Sequence, residues 1–126
     1  MLLEGKVAVI YGAGGKVGGA VARAFAREGA RVFLAGRSLA SLERVAAELP
    51  AEGEIAQLDA LDGGAVDRHA AEVVAAAGSI DISFNLISHA FVQGTPLVEM
   101  SPQDYVDPVL TTVRSTFLTA GRRRGT

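Results

Sequence analysis

Cysteine is absent from all 126 residues of the chain. A disulfide scaffold, thiolate chemistry and a cysteine-based zinc site are therefore excluded. The formal net charge is −2, so the chain also lacks the positive excess that binding to nucleic-acid phosphates requires. The composition predicts a protein with no nucleic-acid partner.

Long hydrophobic runs are absent too, since no apolar stretch approaches the roughly 20 residues of a membrane span. The N-terminal segment Met1–Lys6 has no basic region followed by an apolar core, so it is not a signal peptide. Histidine, aspartate and glutamate nowhere adopt a metal-ligand spacing. We therefore expect a cytoplasmic protein without a membrane contact or a metal site.

What is present is the composition of one globular domain, with 49% apolar and 21% charged residues. The length suits a single domain, which we place at residues 1–126. Glycine is the enriched residue type, with 15 copies, or roughly 12% against an average near 7%.

Strand-like and helix-like segments alternate along the chain. Four short apolar runs predict strands, namely Lys6–Tyr11, Arg31–Ala35, Glu54–Asp59 and Ile80–Asn85. Runs without strict alternation are typical of strands that are buried on both faces of a parallel sheet. Three strand–helix–strand units in sequence predict such a sheet with right-handed crossovers.

Three helices are predicted between the strands. The first covers Lys16–Glu28 and ends at Gly29, the second is capped by Ser38, and the third runs from the cap Asp62 to about Ala77. The residues expected to face inward are Val17, Val21, Ala24 and Phe25, then Leu39, Leu42, Val45, Ala46 and Leu49, then Val66, Ala70, Val73 and Ala77.

A fourth helix is predicted after a loop at about Ser88–Met100. Ser101 suits its cap and Pro102 its first position. Pro108 would break a hydrogen bond deep inside a helix, so we expect a short turn and a second start with Asp107 as cap. The apolar stripe that favours this helix comprises Val106, Val109, Leu110, Val113 and Phe117.

A glycine-rich turn, Gly12–Gly19, lies between the first strand and the first helix. Such a turn lets backbone N–H groups approach a pyrophosphate at the positive end of a helix. A phosphate-binding loop of the NTPases is excluded, because Val17 follows Lys16 where serine or threonine is required. The structural alternative is a tight turn that binds no ligand.

The end of the second strand carries Gly36 and Arg37 instead of the acid that usually holds the ribose hydroxyls of NAD. An arginine there can form two parallel hydrogen bonds with a 2′-phosphate. The structural alternative is an exposed arginine near a helix start, where the helix dipole disfavours a cation. Because a cation is unfavourable at that position, an anionic partner for Arg37 is favoured, and therefore NADP (NADPH) over NAD.

Taken together and in order, these features resemble the N-terminal half of the short-chain dehydrogenase/reductase family (SDR), from about Leu3 to Ala120. The segments that carry the resemblance are Gly5–Ile10, the glycine turn, Ala35–Ser38, Leu58–Asp62, Ile80–Asn85 and Ser101–Tyr105. The resemblance implies a truncated Rossmann-like, three-layer α/β fold whose parallel strands have the order 3-2-1-4. It also implies a hydride-transferring oxidoreductase with a carbonyl or alcohol substrate.

The resemblance assigns the cofactor-binding residues. Arg37 would select NADP, Asp59 would contact the adenine, and Asn85 would match the first asparagine of the Asn-Asn-Ala-Gly motif. The full set of expected cofactor-binding residues is Gly12, Gly14, Gly15, Lys16, Val17, Gly18, Arg37, Asp59 and Asn85.

The sequence also departs from the family pattern. Tyr11 replaces the usual threonine, and Lys16 replaces the middle glycine, where its side chain would either crowd the pyrophosphate or reach a phosphate. Leu86–Ser88 replaces Asn-Ala-Gly, and Thr112 falls where the catalytic asparagine would align.

The catalytic serine and the Tyr-x-x-x-Lys motif of the family have no counterpart, and the tail at residues 121–126 is atypical. We therefore expect a chain that stops before its catalytic half, through a frameshift or a truncated gene, and that is inactive alone. His89 is the single weak candidate for a catalytic group, and His69 is expected at the surface.

Two hypotheses follow. The first is the cofactor-binding half of an NADP-dependent oxidoreductase, and the alternative is a non-catalytic nucleotide-binding or interaction module with the same fold. In either case the fourth strand would present an open apolar edge and an uncovered face, which predicts self-association.

Overall fold

The computed structural model describes residues 2–50, 53–86 and 96–120. The four strands are β1 (Val7–Tyr11), β2 (Arg31–Gly36), β3 (Glu54–Gln57) and β4 (Ile82–Asn85). The helices are α1 (Lys16–Arg27), α2 (Leu39–Ala47), α3 (Gly63–Ala77) and α4 (Pro102–Ala120), and a 3₁₀ turn at Leu97–Glu99 precedes α4. The order of the elements agrees with the sequence pattern, although β3 and β4 are each two residues shorter than predicted.

The strands form one parallel sheet in the order β3-β2-β1-β4, as the family resemblance implied. Every residue of β1 is buried, because β1 lies inside the sheet with helices over both of its faces. The fold is therefore the predicted three-layer Rossmann-like arrangement.

Alternate side chains of β1 and β2 supply two separate cores. Ile10 and Leu34 pack with α1 and α2 on one face, whereas Val9, Tyr11 and Phe33 pack with α3 on the other. The sheet pleat sends successive side chains to opposite faces, so a continuous apolar run serves both cores.

The predicted helix ends are confirmed at several places. Ser38 Oγ accepts the N–H of Ser41, Asp62 Oδ1 accepts the N–H of Ala65, and Ser101 Oγ accepts the N–H of Asp104. Each of these bonds satisfies a backbone donor that the first turn of a helix leaves without a partner.

The inward-facing sets are confirmed for α3 and corrected for α1 and α2. Val66, Ala70 and Val73 are buried as predicted. Val17 is exposed instead, because glycines and Ala22 form the buried side of α1. Leu39 is also exposed, since it is the first residue of α2 and precedes the part of the helix that meets the sheet.

The helix that the apolar stripe predicted is present as α4, and the structure adds its orientation, which the sequence analysis did not predict. The apolar stripe faces outward, with exposures from 42% at Val106 to 72% at Phe117. The opposite side of α4 packs on the sheet through Ser115 and Thr119. This orientation follows from β4, which presents the polar residues Ser83 and Asn85 to the helix and hydrogen-bonds with it.

The second helix start at Pro108 is also wrong, because α4 is continuous from Pro102 to Ala120. Asp107 does not cap a helix, and its Oδ1 accepts a hydrogen bond from Gln103 Nε2 at 2.7 Å. Pro108 itself is buried. Packing therefore holds Pro108 in the helix although its ring removes one backbone donor.

The sequence analysis expected β4 to have an uncovered face, but the structure covers both of its faces. Ser83 and Asn85 contact α4, while Phe84 meets the Phe25 ring of α1 edge-on, with 6.1 Å between centroids. Within the described ranges β4 pairs with β1 alone, so the open edge of the prediction is present there.

His69 is buried rather than at the surface, with 6% of its area exposed. Its ring meets the Tyr11 ring edge-on, with 6.4 Å between the centroids. The helical position of His69 places it between Val66 and Val73 on the side of α3 that faces the sheet.

Candidate functional site

The glycine turn begins where β1 ends. The backbone N–H of Gly12 donates to the carbonyl of Ala35 at 2.9 Å and ties the turn to β2. Gly12 has φ +79°, in the left-handed region that side chains other than glycine rarely adopt. A Cβ at Gly18 would lie 2.6 Å from the Gly12 carbonyl oxygen. The turn and the first turn of α1 thus touch backbone to backbone.

A cleft of about 300 Å³ opens at this turn, over the carboxyl end of the sheet. We name it the main cleft because it lies between the glycine turn and Arg37. It is bounded by the glycine turn, the end of β2, the start of α2 and Leu86, and its lining residues are Gly12, Gly14, Gly15, Gly36, Arg37, Ser38, Ser41, Leu42 and Leu86. No carboxylate is among them, so the lining offers N–H and O–H donors together with a guanidinium.

Arg37 follows β2 directly and is exposed. Its carbonyl oxygen accepts a hydrogen bond from Gln57 Nε2 at 3.0 Å, which fixes the loop to β3. Within the described ranges its guanidinium forms no ion pair. The positive charge at the rim of the cleft is thus available to an anion.

Lys16, whose role the sequence left open, lines a neighbouring cleft of about 380 Å³ between α1 and α2. Arg23, Arg44 and Glu48 lie there too, and Arg23 forms an ion pair with Glu48. Lys16 is therefore beside the main cleft and is not among the residues that line it.

Two other predicted site residues are engaged in local structure. Asp59 Oδ1 accepts the N–H of Leu61 at 2.9 Å. Asn85 lies beside Tyr11 at the end of β4, and its Nδ2 donates to Ser115 Oγ and Thr116 Oγ1. The structure thus gathers Gly12, Gly14, Gly15 and Arg37 along the main cleft, whereas Asp59 and Asn85 are outside its lining.

The remaining predicted residues are placed as follows. Gly18 is buried against the turn, and Val17 is exposed on α1. Thr112 Oγ1 donates to the carbonyl of Pro108 at 2.9 Å, so its hydroxyl is used within α4. His89 lies outside the described residues, as does the tail at residues 121–126.

Sequence reasoning missed Ser41, which lines the cleft and contacts Gly14. The available signal was its position three residues after the cap Ser38, which places both hydroxyls at one helix start. It also missed a second cavity of about 210 Å³ on the other face of the sheet, lined by His69, Glu72, Phe33, Glu54 and neighbouring apolar residues.

Burial shifts the protonation of His69. The loss of solvation lowers the pKa of its imidazole, and the nearby Glu72 carboxylate opposes that change in part. Among the described residues, the Nδ1 atom has no hydrogen-bond partner. The neutral ring is therefore the form that this site favours.

Two negative findings concern the described residues as a set. None of their helices is both long and apolar enough to cross a membrane. Histidine, aspartate and glutamate side chains among them form no group of three that could hold a metal ion.

Comparison with known proteins matches residues 12–124 to the family model described as enoyl-(acyl carrier protein) reductase. A sorbitol dehydrogenase from Cereibacter sphaeroides is 42% identical over 106 residues, which are 83% of this chain and 40% of that protein. A D-threitol dehydrogenase from Mycolicibacterium smegmatis is 33% identical over 92% of this chain and 45% of its own length.

A similar solved structure is the 3-ketoacyl-(acyl-carrier-protein) reductase from Brucella melitensis complexed with NADH. It has a TM-score of 0.83 and 30% identity, and the match covers 95% of this chain and 49% of that one. The match with this chain thus spans less than half the length of the sorbitol dehydrogenase and of the D-threitol dehydrogenase.

Proposed function

Since the chain belongs to the short-chain dehydrogenase/reductase family, we propose that it is the NADP-binding portion of an oxidoreductase that acts on a carbonyl or alcohol substrate. When bound, the nicotinamide carries the hydride. The residues of this chain bind and orient the dinucleotide. The single observation that carries the proposal is that the cleft, among the residues that the structure describes, is lined by no carboxylate and has Arg37 at its rim.

The glycine turn fits a pyrophosphate. Gly12, Gly14 and Gly15 line the cleft, so there is no Cβ on this wall to keep a phosphate away from the backbone. Gly15 is the cap residue of α1 and offers no side chain to its first-turn N–H groups. Those donors, at the positive end of a 12-residue helix, favour a phosphate oxygen.

The ribose end of the cleft favours a phosphate over a diol. The described lining residues include no carboxylate that could accept from two ribose hydroxyls, and Arg37 follows the end of β2. An arginine fork matches a phosphate with two parallel hydrogen bonds. NADP, with its 2′-phosphate, is therefore the cofactor that we propose, with Lys16 in the adjacent cleft adding positive charge.

Titration calorimetry with NADPH and NADH tests this proposal. We expect tighter binding of NADPH, and a loss of about tenfold to a hundredfold in Arg37→Ala, which corresponds to one charge-assisted contact. Arg68→Ala, on the exposed side of α3, is the matched control that removes a distant positive charge. Equal affinities for the two dinucleotides in the unaltered chain would refute the proposal.

The second candidate function is a nucleotide-binding module without catalysis. It is favoured by one observation, that neither Tyr11 nor Tyr105 is followed by lysine four residues later. In the family, the tyrosine of that pair donates the proton and the lysine assists it. General acid assistance of this kind contributes about a hundredfold to ten-thousandfold to the reaction rate. Loss of NADPH absorbance against a panel of carbonyls separates the two functions. Turnover that disappears in His89→Ala would favour catalysis by this chain.

Self-association is part of the proposal. The edge of β4 that is unpaired within the described ranges and the outward stripe of α4, which includes Val113 and Phe117, leave apolar surface for a second copy of the chain. Contiguous apolar surface of this kind is typical of an interface. Light scattering over a range of concentrations is the measurement, and a monomer at all of them would contradict the proposal.

A further inference from the structure

The cavity on the face of the sheet that carries α3, which we call the α3 cavity, is separate from the main cleft. It has a volume of about 210 Å³ and is lined by Phe33 of β2, by residues 54–56 of β3 and by residues of α3 between His69 and Ala76. None of these residues lines the main cleft. A ligand of the α3 cavity would therefore bind independently of the dinucleotide.

The volume and the walls of the α3 cavity suit a small ring. An apolar cavity of roughly 150 Å³ holds benzene, whereas drug-sized ligands occupy about 300 Å³ or more. The α3 cavity has a volume between these two. Phe33, Ile55 and Val73 supply apolar walls, and Phe33 and Val73 are buried. The space therefore fits a single ring with a short substituent.

The charges at the α3 cavity leave one carboxylate without a counter-ion. Glu54 is neutralised by Arg31, whose Nε donates to Oε2 at 3.0 Å and whose Nη2 donates to Oε1 at 3.1 Å. Glu72 is exposed at the cavity, and within the described ranges it forms no ion pair. The described lining, counted together with Arg31, thus carries one negative charge. This charge favours a cation over a neutral molecule or an anion.

His69 gives the α3 cavity a polar ring that the protein does not use fully. Only 6% of His69 is exposed, and among the described residues its Nδ1 atom has no hydrogen-bond partner. Buried polar groups without a partner are rare in folded proteins. Burial lowers the pKa of the imidazole, and the neutral ring has one acceptor nitrogen. His69 can therefore accept from a donor in the cavity and adds no positive charge that would repel a cation.

We propose that the α3 cavity binds a monocyclic aromatic cation, an amine or an amidine, with its charged group at Glu72 and its ring against Phe33 and Val73. Glu72 supplies the opposite charge, the apolar walls shield the ring from water, and His69 accepts from an N–H group of the ligand. This inference goes beyond the proposed binding of NADP and does not rest on it.

The test compares benzamidine, a cation, with benzamide, a neutral molecule of nearly the same shape. A two-dimensional NMR titration of the isotope-labelled 126-residue chain measures both affinities and shows which backbone amides respond. We expect benzamidine to shift amides of β3 and α3 and to bind about fivefold more tightly than benzamide, the effect of one exposed ion pair. Glu72→Gln should remove the difference. Glu43→Gln, which removes an exposed carboxylate of α2, is the matched control and should preserve it.

A second variant tests the cavity itself. Ala76 lines the cavity and is exposed, and only its backbone carbonyl bonds to Arg31. Ala76→Leu should therefore fill the space and weaken binding of both probes, while the fold is kept. Ala75→Leu, at an exposed position outside the lining, is its control and should bind both probes as the unaltered chain does.

Four results would overturn the proposal. They are equal affinities for the two probes, a response centred on the glycine turn, a Glu72→Gln variant that behaves like Glu43→Gln, and an Ala76→Leu variant that behaves like Ala75→Leu.

Discussion

At the glycine turn, on the face of the sheet that carries α1 and α2, the start of α1 contacts the backbone of the turn directly, whereas on the other face α3 contacts the strands through side chains. Gly18 approaches the turn so closely that a Cβ would overlap Ala13, and Gly14 packs against Ser41. On the opposite face, Val73 and His69 of α3 lie over the strands. Glycine packing thus leaves an open cleft edged with backbone donors, while the side-chain packing encloses a buried imidazole.

The largest effect is expected where the backbone contact is closest. Gly18→Ala would place its Cβ 2.6 Å from the carbonyl oxygen of Gly12 and 2.7 Å from the Cα of Ala13. Neither backbone atom can move freely, so we expect a loss of about 2–3 kcal/mol in the free energy of unfolding. Urea denaturation measures it.

Gly64→Ala is the matched control for that substitution. Gly64 lies in a helix as Gly18 does, but it is exposed. The atoms nearest to its new Cβ are the ends of the Arg68 and Asp62 side chains. We expect a gain of up to about 1 kcal/mol from helix propensity. If the two variants lose equal stability, close backbone packing does not distinguish the two faces.

The opposite face should respond to pH through His69. Burial lowers the pKa of the His69 imidazole in the folded state below the ordinary value of 6.5. As pH falls, the imidazole of the unfolded chain therefore binds a proton before that of the folded chain does. The contribution of His69 to stability is full above pH 6.5 and is lost as pH falls through that value toward the folded pKa. The slope cannot exceed about 1.4 kcal/mol per pH unit for one group.

Urea denaturation from about pH 7.5 to about pH 5 measures this slope. His69→Leu should reduce the slope, and Glu72→Gln should steepen it, because the Glu72 carboxylate opposes the fall in pKa. If the free energy of unfolding of His69→Leu depends on pH as steeply as that of the unaltered chain, His69 is not the source of the pH dependence.

A smaller effect is expected at the polar contact between β4 and α4. Ser115 Oγ accepts from Asn85 Nδ2 at 3.1 Å and donates to the Thr112 carbonyl at 3.3 Å. Ser115→Ala removes both bonds, but Asn85 keeps Thr116 as an acceptor. We expect a loss of about 1 kcal/mol by denaturant unfolding. If Ser115→Ala lost as much free energy of unfolding as Gly18→Ala, the polar contact on this face would be as important for stability as the close backbone contact on the other.

The smallest effect on stability is expected at the outward stripe of α4. Phe117 is 72% exposed, so Phe117→Ser should change the free energy of unfolding by about 0.5 kcal/mol or less. The same substitution should reduce self-association in light scattering. Thr116→Ser, an exposed neighbour, serves as the control, and identical association of both variants would exclude this stripe from the interface.

Much of the fold was predictable, because its signals are local. Apolar runs identified four strands, and Ser38, Asp62 and Ser101 marked helix starts that the structure confirms. The glycine turn and Arg37 identified the wall of the candidate cleft in the same way. Ser41 escaped notice because its contact with Gly14 joins residues far apart in the chain.

The sequence by itself determined the parallel α/β architecture and the position of the glycine turn, since periodicity, caps and glycine act within a few residues. Only the tertiary structure decided which side of α4 meets the sheet and that His69 is buried. For α4, the polar Ser83 and Asn85 of β4 select Ser115 and Thr119 over the apolar stripe. Hydrophobic periodicity could identify the apolar side of α4, but it could not show which side meets β4, because these contacts join residues 30 or more positions apart in the chain.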